Sequence, residues 1–166
     1  MKKKILIFGG IAAFYVAVFT VILLGTLILP SQVYNNKQLL SKELNTANKK
    51  NYKKEKQNGI TTITCEKMTG METIWKNNVL ENITLQMQYS LHVTSGKAKL
   101  VLVQPDNTIV TLTEQESNSI DNQQIDSATM EQKCRLDLKK GRNKIKIVCE
   151  KGTAFSLALQ FSLAEL

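Results

Sequence analysis

The sequence predicts an all-β domain, a β-sandwich of jelly-roll-like kind, preceded by a single N-terminal transmembrane helix. Three observations carry this prediction: an uncharged apolar run over residues 5–29, two-residue alternation of apolar and polar side chains in several segments beyond residue 60, and turn-forming residues between those segments. The organisation that follows is an n-region at 1–4, a membrane span at 5–29, a Lys/Asn-rich stalk at 30–59 and the sandwich at 60–166.

The apolar run holds no charged residue and ends at Pro30. At about 1.5 Å per residue a helix of this length crosses a hydrocarbon core of roughly 30 Å. A lipid-exposed segment must satisfy its backbone internally, which selects a helix, and proline suits the exit because it has no N–H to continue the ladder. The run exceeds the apolar core of a cleaved signal peptide, and Leu27-Ile28-Leu29-Pro30 is a poor cleavage site. Lys2, Lys3 and Lys4 lie tight against the span and place the N-terminus in the cytoplasm, with the C-terminal domain outside it.

The net charge of +8 has a particular location. Residues 60–166 hold twelve basic and twelve acidic side chains, so the excess all precedes residue 60 and flanks the apolar run. A domain without net charge lacks the field that draws in nucleic acid, and no nucleic-acid partner is expected. In the stalk, Leu39, Leu40, Leu44 and Ala47 fall on one helical stripe, which predicts either a helix near 36–56 or a solvated spacer.

Beyond Asn58-Gly59, a turn signal, the period becomes two. Leu85, Met87, Tyr89, Leu91 and Val93 alternate with Gln86, Gln88, Ser90, His92 and Thr94 in a long strand over 83–94. Strands at 97–104 and 108–113 follow, separated by Pro105-Asp106-Asn107. Residues 60–68 and 72–75 read as two strands about Thr69-Gly70; 134–139 and 144–148 read as a hairpin about Lys140-Gly141-Arg142-Asn143; a last strand runs over 154–163. Residues 114–131 carry five acids and no base and read as a solvated loop.

If Leu138 opposes Ile145 in that hairpin, Cys134 opposes Cys149, and a disulfide or two buried free thiols are equally compatible with the spacing. With Cys65 the cysteines number three, without C-x-x-C spacing, and His92 is the only histidine, so no zinc site is expected. No phosphate loop, H-E-x-x-H or G-x-S-x-G motif occurs, and no nucleophile, base and orienting group are grouped; the sequence predicts no enzyme and no cofactor.

Two surface features are candidate contacts. Lys133, Arg135, Lys139, Lys144 and Lys146 form an outward row on the expected hairpin, able either to hold an anionic polymer or to guard a sheet edge. Trp75, with Tyr89, offers an aromatic platform for a sugar or serves the core.

Gly70-Met71-Glu72-Thr73-Ile74-Trp75, Ser95-Gly96-Lys97-Ala98-Lys99-Leu100, Pro105-Asp106-Asn107 and the stretch from Lys140 to Val148 together resemble small extracytoplasmic β-sandwich proteins of Gram-positive bacteria, membrane-anchored or lipoproteins. The resemblance implies an envelope location and a jelly-roll-like fold and carries over no functional residue. The chain departs from the lipoprotein members in having no cysteine before Cys65. The function expected is a bitopic membrane protein displaying a binding or interaction module to an envelope protein or an anionic cell-wall polymer. The alternatives are a structural subunit assembling through its helix and a glycan-binding module.

Overall fold

The computed structural model describes residues 29–117, 130 and 132–163. The predicted span and n-region, most of the acidic segment and the last three residues lie outside the described residues. No helix among the described residues is long and apolar enough to cross a membrane.

Among the described residues eight antiparallel strands make up the domain: β1 (Thr46–Lys50), β2 (Lys53–Gln57), β3 (Ile60–Val79), β4 (Ile83–Ser95), β5 (Lys97–Val103), β6 (Ile109–Glu116), β7 (Gln132–Leu138) and β8 (Gly141–Leu163). The two long strands, β3 and β8, run side by side and belong to both layers of a sandwich. In sheet I the later part of β3 and the earlier part of β8 pair (Met71 opposite Val148), with β1 outside β3 and β5 then β6 outside β8. In sheet II the earlier part of β3 and the later part of β8 pair (Ile63 opposite Leu157), with β2 outside β3 and β4 then β7 outside β8.

Strand β3 changes sheets where its pairing with β8 breaks register, between Cys65 and Gly70. Bulges of this kind bend a strand and let it turn a sandwich corner. The Thr69-Gly70 signal therefore marks a corner in one continuous strand, not a turn between two. Gly70 has φ +109°, and a Cβ there would stand 2.0 Å from the Thr46 carbonyl oxygen and 3.0 Å from Pro30 Cβ, so only glycine lets both segments close in. The Asn58-Gly59 signal is a true hairpin turn: both residues have positive φ (51° and 80°), as the tight mirror-image turn between β2 and β3 demands.

Alternation along the strands fills the space between the sheets. Ile63, Met87, Leu91, Leu100, Leu136, Ile145, Ile147, Phe155, Leu157 and Leu159 are buried in one cluster drawn from both layers. A second cluster lies on the opposite face of sheet I, where Met71, Val101, Val103 and Val148 meet Val33, Tyr34 and Leu40. Here the predicted stalk is corrected. Residues 30–59 are not a spacer or a long helix: they form a 3-10 turn (Pro30–Gln32), a five-residue helix α1 (Lys37–Ser41) and strands β1 and β2, all packed on the domain. The apolar stripe that suggested a helix had too few large residues to specify one. Asn36 caps α1 by accepting from Leu39 N, and Leu40 is buried against sheet I.

Candidate functional site

The 134–149 hairpin does not form. Strand β7 pairs with β4, setting Cys134 beside Met87 in sheet II. The chain then crosses at Lys139-Lys140 into sheet I, where Cys149 stands between Gly70 of β3 and Ala98 of β5. The Cys134–Cys149 pairing is thereby excluded in this fold, and all three cysteines are free. Burial pushes each thiol above its ordinary range, most strongly at Cys149, so they pack as protonated, inert groups.

The same crossing divides the basic row. Lys133 and Arg135 are exposed on β7, where Arg135 donates to Asp137 (3.3 Å) and to the Thr84 hydroxyl (3.4 Å). Lys139 pairs with Asp106 at 2.6 Å. Lys144 and Lys146 point out of sheet I, as the alternation required, but are buried beneath residues 29–45, which form a strap across that face. The row is therefore not one anionic-partner face. Trp75 is half-buried at the edge of the core, its ring stacked on Phe161 with centroids 4.7 Å apart. Tyr89 is buried, so the two aromatics make no exposed platform.

The strap is bound by complementary chemistry. Lys146 has no exposed surface, and its ammonium donates to the carbonyls of Lys42 (2.5 Å) and Leu44 (3.4 Å). Desolvation, reinforced by the neighbouring Lys144 charge, lowers its pKa to about 8. Lys144 pairs with Glu43 at 2.8 Å, and this hydrogen bond holds the Glu43 carboxyl below its usual range. At the other end Tyr34 donates to Glu114 (3.2 Å) and carries the Lys99 ammonium over its ring at 4.2 Å. Burial and the Glu114 charge push the Tyr34 hydroxyl well above its ordinary range.

The outer face of sheet II bears no such strap among the described residues. The pairings place its outward side chains in rows across the strands. Lys133, Gln88 and Gln160 form one row; Arg135, Gln86 and Ser162 the next. On the other side of the first row stand Ser90, Ala158 and Thr62, then His92, Ser156 and Thr64. Neighbouring strands lie about 4.8 Å apart, and same-face residues repeat about every 6.8 Å along each strand.

The Ser90–Ala158 row is the notable one. Both residues are buried although they point outward, at 9% and 6% exposure, because they are small and shadowed by the rows beside them. They lie side by side on β4 and β8, next to Thr62 of β3. On one side of this row stand Gln88, Gln160 and Lys133, and on the other His92, Ser156 and Thr64. Such a surface offers side-chain donors and acceptors, with Lys133 and Arg135 at its β7 edge, and suits a ligand rich in hydroxyl or amide groups. No group of three His, Cys, Asp or Glu side chains among the described residues could hold a metal ion. The β4, β7 and β8 members of these rows are the outward set of strands whose alternation the sequence shows, while Thr62 and Thr64 of β3 give no such signal; which rows adjoin depends on register, which the sequence does not show.

No family model matches the chain, and no curated protein matches it. Among solved structures it is similar to one described as "CBM4 structure and function" (10% identity over 74% of this chain and 81% of that chain, TM-score 0.38). It is also similar to Drosophila melanogaster CENP-C bound to CAL1 (8% identity, 64% and 79%, TM-score 0.24). A third likeness is to protein SO0799 of Shewanella oneidensis (12% identity, 74% and 75%, TM-score 0.28). Likenesses this distant carry no argument about what the chain binds.

Proposed function

We propose that this chain is a single-span membrane protein of the cell envelope, anchored by residues 5–29, whose extracytoplasmic β-sandwich is a non-catalytic binding module. Its docking surface is the outer face of sheet II. The observation that carries the reading is the contrast between the faces among the described residues: the strap closes sheet I, and sheet II presents ordered rows of amides, hydroxyls and one imidazole, with Lys133 and Arg135 at the β7 edge. The uncharged apolar run supports the anchor, and Lys2, Lys3 and Lys4 support a cytoplasmic N-terminus.

The row of small residues at Ser90 and Ala158, flanked by rows of amides and hydroxyls, favours an extended polyhydroxylated polymer of the wall, which hydrogen-bonding groups in parallel rows can contact along its length. The test is retention of the full-length, detergent-solubilised protein on insoluble cell-wall material. Ala158→Leu adds bulk to the central row, and Gln88→Ala with Gln160→Ala removes the amides beside it; each should cut retention tenfold or more. Unchanged retention in both, at wild-type stability, removes sheet II as the site. Topology is checked with a tag at Leu166: added protease should remove it from protoplasts without lysis.

A further inference from the structure

We infer that the strap is a second membrane contact, lying against lipid headgroups with Leu29 and Leu44 entering the interface and Lys37 and Lys42 meeting anionic phosphates. The outer face of sheet II is thereby turned away from the bilayer. The inference rests on the single-span reading of residues 5–29.

Five large apolar side chains are well exposed among the described residues, and two of them, Leu29 (54%) and Leu44 (59%), lie on the strap. They flank one point. Pro30 and Thr46 both close on Gly70, so Leu29 is one residue and Leu44 two residues from that contact. With consecutive Cα atoms 3.8 Å apart, neither leucine can stand far from it. Leu29 is also the last residue of the uncharged run, so no linker separates a span from this surface. A helix leaving the bilayer here delivers the strap directly to the headgroup layer.

The strap's charges fit that occupant. Lys37 and Lys42 are exposed and enter no ion pair with another described residue. Its single acid, Glu43, is neutralised by Lys144 at 2.8 Å with Arg142 at 3.9 Å. What remains is a small cationic surface with two projecting leucines, the composition that anionic lipid attracts. The strap cannot swing aside to release the sandwich, because Lys146 holds its carbonyls and Val33, Tyr34 and Leu40 are sunk into sheet I. Fixing the strap on the bilayer therefore fixes the domain. Since the strap lies outside sheet I, the outer face of sheet II is on the far side of the sandwich.

The experiment uses full-length protein in phosphatidylcholine vesicles, with and without phosphatidylglycerol, containing lipids brominated near the headgroup end of the acyl chain. Leu44→Trp places a fluorophore on the strap, and Gln86→Trp places one on sheet II; the wild-type signal of Trp75 is subtracted. Bromolipid should quench the added fluorescence of Leu44→Trp about twofold and leave that of Gln86→Trp unchanged. Adding Lys37→Glu with Lys42→Glu should reduce the Leu44→Trp quenching in phosphatidylglycerol vesicles. Equal quenching at the two positions, or none at position 44, overturns the inference while leaving the span intact; quenching indifferent to both lysines overturns the headgroup assignment. Protein extracted from the vesicles by alkaline carbonate fails the span itself, and the inference with it.

Discussion

The two outer faces of this sandwich start from similar sequence and end differently. Strand β8 supplies both. Its earlier part sends Lys144, Lys146 and Val148 out of sheet I, and its later part sends Ser156, Ala158 and Gln160 out of sheet II. The lysines, the more polar set, are the more deeply buried, because residues 29–45 cross sheet I and supply carbonyls and a carboxylate for them. On sheet II Ser156 and Gln160 stay half-buried and Ala158 is buried only by its neighbours, with no described segment crossing them. Polarity at an outward strand position predicts that a side chain leaves the core; it does not predict water beyond it. A buried charge requires partners, and here the partners come from a segment more than a hundred residues away.

That contrast can be broken most severely at Gly70. Gly70→Val would collide with Thr46 and Pro30 and force a β-branched residue to positive φ, so the strap should detach and stability fall by about 3 kcal/mol or more. Urea unfolding followed by Trp75 fluorescence, with proteolysis within residues 30–45, reads both effects. Lys146→Ala comes next. It strips the donor from two strap carbonyls and leaves a cavity, for an expected loss of about 2–4 kcal/mol in the same unfolding experiment.

The titration of Lys146 gives a sharper signature. Its folded pKa of about 8 lies below the ordinary lysine value near 10.4, so between these values the unfolded chain binds more protons. Stability should therefore rise as pH goes from about 8 toward 10, and the dependence on this group should vanish below about 8, where both states are protonated. Lys146→Met should flatten the rise in the urea midpoint; a slope that persists assigns it to another group.

Tyr34→Phe, which removes one hydrogen bond to Glu114, should cost about 1 kcal/mol. The smallest effects belong to sheet II. Gln86→Ala and Gln88→Ala should each move stability by no more than about 0.5 kcal/mol, because neither residue holds the fold together. A large loss there would make sheet II a structural face like sheet I.

Local signals read correctly wherever one strand and its turn sufficed. The alternation from Leu85 to Val93 and the Asn58-Gly59 turn appear in the structure where their residues predicted them, and the strand expected at 97–104 is Lys97–Val103. Signals that needed a neighbour failed. Gly70 resembles a turn residue until β1 is seen pressing against it, and Lys140-Gly141 resembles a hairpin until β7 is found on β4. The Leu39–Leu40 stripe, read as a helix or spacer, is one edge of a small core whose other edge is on β5 and β8.

By itself the sequence determined the all-β class of the domain, the uncharged run before it, the balance of charge beyond residue 60, and which side chains of each strand share a face. These follow from the two-residue period of an extended chain and from composition, properties each segment carries alone. Only the tertiary structure decided which strands adjoin, that β3 and β8 serve both sheets, that Cys134 and Cys149 lie in different sheets, and that among the described residues one outer face is closed and the other open. Those are set by register and by contacts between residues far apart in the chain, where the free energy of packing depends on both partners and neither segment records the other.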